Sequence, residues 1–201
     1  MASLGREFTN PPNLVTMGRV LFVPAVLYCM DNYSPVRSLI AALLYLVASV
    51  GDGVDGYLAR SRGQVSVLGK FLDPVADKLM VTAVLVYMVA LGRVPAWAVV
   101  VLIARDLAIG GLRNIASSEG IVIDASRGGK IKTALQLVAL TMLLLHFRYP
   151  LLGLGINVDY NAAGLVVLYI SLGVSVLSGL DYVVGFFRAT HGARREGPPA
   201  A

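Results

Sequence analysis

Apolar residues fall along this chain in six long runs, Leu14–Met30, Leu39–Leu58, Leu68–Leu91, Pro95–Ser117, Lys130–Phe147 and Ala162–Phe187. Each is near the ~20 residues a helix needs to cross the hydrocarbon of a bilayer. The pattern predicts an all-α fold: a polytopic membrane bundle of about six transmembrane helices. The connections are short apart from Glu119–Gly129 and Arg148–Asn161. No fixed-period repeat, low-complexity tract or linker divides the chain, so residues 1–201 are expected to form a single membrane-embedded domain. Residues 1–12 read either as an interfacial segment or as a frayed end. Pro11 and Pro12 interrupt the chain, Asn13 is placed to cap the helix that follows, and 189–201 read as a flexible tail.

Composition agrees with lipid as the solvent. Hydrophobic residues make up 57% of the chain and charged residues 14%, where a soluble domain carries about 25% charged. The lone Cys29 permits no disulfide within the chain and sits in an apolar run as a packing residue. His146 and His191 share no ligand spacing, which argues against zinc. The first residues are polar and the first apolar run leads into the bundle, so no cleavable signal peptide is expected.

The net charge of +5 raises the question of nucleic acid, but its placement beside the spans fits topology and anionic-lipid contact, and no nucleic-acid partner is expected. Arg60, Arg62, Lys70, Arg113, Arg127, Lys130, Lys132, Arg188, Arg194 and Arg195 fall on one side of the expected bundle, against Arg37, Arg93 and Arg148 on the other. The first side should be cytoplasmic, with both termini there. Gly110, Gly111, Gly164, Gly173, Gly179 and Gly185 inside the spans suit close helix packing, although glycine is common in such helices.

The chemistry concentrates in two adjoining segments, Asp52-Gly53-Val54-Asp55-Gly56-Tyr57-Leu58-Ala59-Arg60 and Gly69-Lys70-Phe71-Leu72-Asp73-Pro74-Val75-Ala76-Asp77. Asp52 and Asp55 share a helical face, as do Asp73 and Asp77. The short link predicts antiparallel neighbours whose four carboxylates meet near the cytoplasmic surface. A carboxylate at the bilayer centre costs about 2.5–3.5 kcal/mol on insertion scales, and four together repel one another. Hard divalent cations offset both, and four aspartates without nearby histidine or cysteine suit Mg²⁺ or Mn²⁺, as one ion or a pair. Gly53, Gly56 and Ala59 leave room for a ligand. Arg60 reads as a partner for a phosphate oxygen or as an ordinary positive-inside residue, and Lys70 and Lys78 are ambiguous in the same way. Pro74 is expected in the first turn of its helix, setting its start.

The pattern D-x-x-D-G-x-x-A-R-x8-G-x3-D-x3-D, complete from Asp52 to Asp77 with eight fixed positions matched, resembles the signature of the CDP-alcohol phosphotransferases. The resemblance implies six transmembrane helices, a homodimer, and displacement of CMP from a CDP-linked donor by an alcohol. It further implies that Asp52, Asp55, Asp73 and Asp77 hold two metal ions and that Asp77 is the general base. Gly56, Arg60 and Ser66 match positions that contact the CDP moiety, and Asn13 and Thr16 approach the nucleotide. No serine, cysteine or histidine constellation stands out as a nucleophile, as direct in-line displacement would have it.

The second half bears on the acceptor. Arg105 and Arg113 lie within or near a bilayer helix, and with Lys130 and Lys132 they suggest a cationic pocket for a phosphate-bearing alcohol. Equally, Arg105 pairs locally with Asp106 or another acid while Arg113, Lys130 and Lys132 mark the cytoplasmic side. The opening Asn10–Thr16 and the segment from Arg105 through Thr133 resemble the glycerol-3-phosphate branch of the family. Asp106 stands where that branch often has Glu, and Arg127 where an aromatic is frequent. The implied reaction joins CDP-diacylglycerol and glycerol 3-phosphate among the lipids of a bacterial cytoplasmic membrane. Inositol phosphate or phosphatidylglycerol as acceptor is the nearest alternative, and a prenyltransferase is more distant. A transporter is disfavoured because the acids gather at one side of the bundle.

Overall fold

The structure, a computed structural model, describes the backbone of residues 11–61, 67–118, 127–150 and 157–196, with side chains for Gly18 and for residues 20–51, 78–118, 128–150 and 157–190. Six helices account for nearly all of this: α1 (Pro11–Cys29), α2 (Pro35–Ser61), α3 (Val67–Ala90), α4 (Ala96–Ser118), α5 (Arg127–Leu145) and α6 (Tyr160–Glu196). Each matches one apolar run. An addition within the 148–161 connection is a two-stranded antiparallel hairpin, β1 (Arg148–Pro150) with β2 (Asn157–Asp159), in register Arg148↔Asp159 and tied by an ion pair at 3.3 Å. The segment before residue 11 and Ser66 lie outside the described residues.

Local chemistry explains where the helices depart from the apolar runs. α2 begins four residues early because Ser34 Oγ accepts from the Arg37 N–H and Pro35 occupies the first helical position, a polar start that hydropathy does not register. α6 runs through residue 196, so 189–196, expected as tail, continue the helix. Asn13 stands third in α1 rather than before it, so it does not cap; Pro11 and Pro12 form the first turn, where a missing N–H costs nothing. Pro74 stands eighth in α3 and does not set its start; a proline there leaves the carbonyl four residues back without its helical donor.

α1 packs against both α2 and α3, α5 against α6 and α2, and α4 against α6. The core at these crossings is Val26, Ala41, Tyr45, Val84, Met88, Leu102, Leu140, Leu143 and Leu168. Gly164 permits a close backbone approach of α6 to α5: a Cβ there would come within 3.0 Å of the Leu143 backbone nitrogen. The outer surface is also apolar, with Leu21, Val36, Val100 and Leu177 all well exposed. Among the described residues, Gly128–Leu145 and Tyr160–Thr190 are long and apolar enough to cross a membrane, with shorter apolar helices at Val20–Cys29, Pro35–Gly51 and Lys78–Ala90. An apolar exterior of this extent marks a membrane protein.

One end of the bundle is closed by Arg93. α3 terminates in a left-handed Gly92, whose N–H reaches Val89 O while the Arg93 N–H reaches Met88 O, the paired bonds of a Schellman turn. The turn delivers the Arg93 side chain inward, where it is 1% exposed. Its guanidinium donates to Asn32 Oδ1 (3.0 Å), Leu143 O (3.0 Å), Leu144 O (3.3 Å) and the Asp31 carbonyl. Burial pushes its pKa down to about 10, with Asp31 opposing, so it stays charged at neutral pH. Arg93 thus joins the α1–α2 loop, the end of α3 and the end of α5. It was expected there only as a topology charge.

Candidate cationic site at the opposite end

At the other end the polar groups face a cavity. α4 supplies Arg105, Asp106 and Arg113, α5 supplies Lys130 and Lys132, and α6 supplies Ser178 and Tyr182, around about 650 Å³. Asp106 is the hub. Both its oxygens accept from Lys132 Nζ, at 2.6 and 2.9 Å, and Oδ1 accepts from Arg105 at 3.1 Å. Arg105 is tied further to α6, donating to Ser175 O and to Ser178 Oγ, each at 2.9 Å. Gly179 makes room for it, since a Cβ there would lie 3.2 Å from Arg105 Nε.

The helical register explains this gathering. Lys132 points into the bundle, 6% exposed, while Ser171 Oγ bonds its carbonyl at 3.2 Å and joins α5 to α6. Arg113, an exposed residue, lies with its guanidinium 5.9 Å from the Tyr182 ring centroid, a cation–π arrangement. Lys78 of α3 reaches the same space, its Nζ 3.5 Å from the Asp106 carbonyl oxygen, and a Cβ at Gly110 would come within 2.6 Å of that ammonium. The two alternatives for Arg105 therefore hold together: it pairs with Asp106 and it lines a cavity beside Arg113, Lys130 and Lys132.

Ser175 and Ser178 of α6 carry no expectation from the sequence. Three apart in an otherwise apolar run, they were the available signal for a polar face on α6. Asp106, expected as a local partner for Arg105 and as a departure from the family pattern, organises the cluster. Lys78, which reads in sequence as a topology charge or a partner for the acids, lines the cavity.

Asp52, Asp55, Gly56 and Arg60 lie on helical backbone in the C-terminal half of α2, and Asp73 and Asp77 on helical backbone in α3, while Asn13 and Thr16 lie in the first turns of α1. Their side chains lie outside the described residues. The backbone nonetheless places each aspartate pair at a helical i,i+3 or i,i+4 spacing, on two helices that both pack against α1. Four hard carboxylates on such a frame suit Mg²⁺ or Mn²⁺. Among the described residues, no group of three or more His, Cys, Asp or Glu stands close enough to hold a metal. Ser49, three residues before Asp52, and Lys78, directly after Asp77, both line cavity space next to Asp106 and Lys132, so the aspartate-bearing segments adjoin the cationic cluster.

Residues 9–177 match the sequence model of the CDP-alcohol phosphatidyltransferase family. The chain is 38% identical to the CDP-diacylglycerol–glycerol-3-phosphate 3-phosphatidyltransferase of Bacillus subtilis, over 86% of this chain and 93% of that one. It is 35% identical to the Haemophilus influenzae protein of the same name, over 87% and 91%. It is also 33% identical to a probable phosphatidylglycerophosphate synthase of Mycobacterium tuberculosis, over 94% and 87%.

Proposed function

The chain belongs to the CDP-alcohol phosphatidyltransferase family, and from that premise we propose that it transfers the phosphatidyl group of CDP-diacylglycerol to glycerol 3-phosphate, giving phosphatidylglycerophosphate and CMP. The observation that carries the acceptor is the cavity shared by Arg105, Arg113, Lys130 and Lys132. Among the described residues its guanidinium and ammonium groups outnumber the carboxylate of Asp106, which suits an anion, and a phosphate at the far end of a small alcohol supplies one.

In this reading the four aspartates hold two divalent ions, Mg²⁺ or Mn²⁺, which when bound neutralise the donor diphosphate and the charge building on CMP. Asp77 accepts the proton of the attacking hydroxyl. The hydroxyl oxygen bonds to the phosphatidyl phosphorus as the bond to the CMP oxygen breaks, and no covalent enzyme intermediate forms. Gly56, Arg60 and Ser66, with Asn13 and Thr16 of α1, hold the nucleotide. Arg105 and Lys132 are fixed by Asp106 and α6, so the acceptor phosphate meets cations already in position.

All six helices cross the membrane in this arrangement, as a homodimer, with the cationic end and both termini at the cytoplasmic face. The donor's acyl chains stay in lipid while its head group meets the aspartates. The test is CMP release by purified protein given CDP-diacylglycerol and a panel of acceptors. Glycerol 3-phosphate should stimulate it, and full chelation of divalent ions should abolish it. Stimulation by inositol phosphate or phosphatidylglycerol instead would reject the acceptor, and turnover surviving chelation would reject the metal site.

A further inference from the structure

The cationic cavity is continuous with a smaller one of about 310 Å³, the two sharing Lys78, Asp106, Lys132, Thr133 and Leu137. Past these residues the wall changes character. Val81, Leu85, Leu102 and Ile103 make it apolar, and Ser49, Thr82 and Gln136 are neutral polar groups along it. Gln136 is 5% exposed, and among the described residues its buried Nε2 has no hydrogen-bond partner. A buried amide donor left unpaired is costly, so its presence in a cavity wall points to an oxygen that arrives from outside the protein.

Position narrows what that oxygen is. Gln136 follows Lys132 by four residues on α5, so the amide lies one turn, about 6 Å, deeper along the same helical face. That step is comparable to the length of a three-carbon phosphoester. The reacting hydroxyl must lose its proton to a carboxylate, and an N–H donated to its oxygen would weaken it as a nucleophile. The amide therefore suits a hydroxyl that does not react.

Resting on the acceptor assignment above, we infer that Gln136 is a specificity residue: with the acceptor's phosphate among the cations, its Nε2 donates to the acceptor's non-reacting secondary hydroxyl. The neutral subsite recognises a vicinal diol carried on a phosphoester. A phosphate-bearing alcohol without the second hydroxyl leaves the amide unpaired.

The probe is 3-hydroxypropyl phosphate, which keeps the phosphate and the primary hydroxyl and lacks the secondary one. Full-length protein in detergent–CDP-diacylglycerol mixed micelles should prefer glycerol 3-phosphate in kcat/KM by on the order of tenfold or more. In Gln136→Leu that preference should collapse toward unity, through loss on glycerol 3-phosphate with little change on the analogue and an unchanged KM for CDP-diacylglycerol. Gln136→Met guards against a packing defect in the leucine variant. Equal use of both acceptors by the wild type overturns the inference without any variant, as does a preference that persists in whichever variant folds. A wild-type protein stimulated by neither phosphoester would instead reject the acceptor assignment itself, so the two failures are distinguishable.

Discussion

Each end of this bundle draws an arginine in among helices, and the two are treated differently. Arg93 is 1% exposed and spends its donors on carbonyls from two elements and on Asn32, leaving nothing for a ligand. Arg105 is also anchored, to Ser175, Ser178 and Asp106, but it and its neighbours border open space. A saturated cation closes a structure, whereas a cluster whose positive groups outnumber its carboxylates retains capacity for an anion. Hydrogen bonding looks alike at both ends; the cavity and the surplus charge separate them.

The functional end should break most completely at Asp77. Asp77→Asn is expected to keep CDP-diacylglycerol binding while turnover falls by about 10²-fold or more, the usual scale for losing a general base. Equilibrium binding of the donor alongside CMP release measures both, and near-normal turnover in the folded variant would remove Asp77 from that role.

The structural end should break in the opposite sense. Arg93→Met leaves the Leu143, Leu144 and Asp31 carbonyls without their donor, and orphaned buried acceptors cost about 1–3 kcal/mol each. Thermal unfolding in detergent should show a loss of about 3 kcal/mol or more, while the molecules that remain folded keep their KM for acceptor. Arg93→Lys should not restore stability, because one ammonium cannot span the loop, Asn32 and the end of α5 together. A stable Arg93→Met protein with a raised acceptor KM would put function at both ends.

Asp106 sharpens the contrast with a smaller effect. Asp106→Asn removes the charge that holds Lys132 and Arg105 at 2.6–3.1 Å, and the acceptor KM should rise about tenfold, the worth of one charge-assisted bond, with the donor KM unchanged. Asp106→Glu should recover part of this, since it restores the carboxylate on a longer stem. A tighter acceptor KM in the asparagine variant would mean that the carboxylate competes with the phosphate rather than positioning its partners.

The six apolar runs announced the helices because hydrophobic length is a property of the sequence alone. Their polar boundaries were harder: the Ser34 cap of α2 and the Pro11-Pro12 first turn of α1 are hydrogen-bonding features that hydropathy does not carry. The cations of the site were legible as residues that lipid tolerates only with partners. The depth of Arg93 was not, because it depends on Gly92 reversing the chain and on carbonyls of α5 fifty residues away. Asp106 was visible as a residue, but that it joins α4 to α5 through Lys132 is a fact of tertiary packing. Gln136 reads in sequence as one polar residue in an apolar helix; only the cavity beside its unpaired amide separates it from Thr141, which bonds back to Leu137 O.

The smallest effect tests whether the closed end responds to pH through the loop that Arg93 grips. Asp31 accepts the Ser34 N–H at 2.7 Å and the Tyr33 N–H at 3.0 Å and pairs with Arg37 at 2.8 Å. Those bonds, Ser34 first, hold its carboxyl below the usual 3.8, with Arg37 and Arg93 adding to the shift and burial opposing it. A carboxyl depressed in the folded state binds its proton more weakly there than in the unfolded chain. Its contribution is therefore complete above 3.8 and lost as pH falls through the folded value. Thermal unfolding of wild type and Asp31→Asn in detergent, followed from about pH 5 down to about pH 2, should show the wild-type advantage shrinking as the medium becomes more acid. A gap that stays constant over that window would mean that the loop is held by Arg93 and the backbone bonds, with no share from the Asp31 charge.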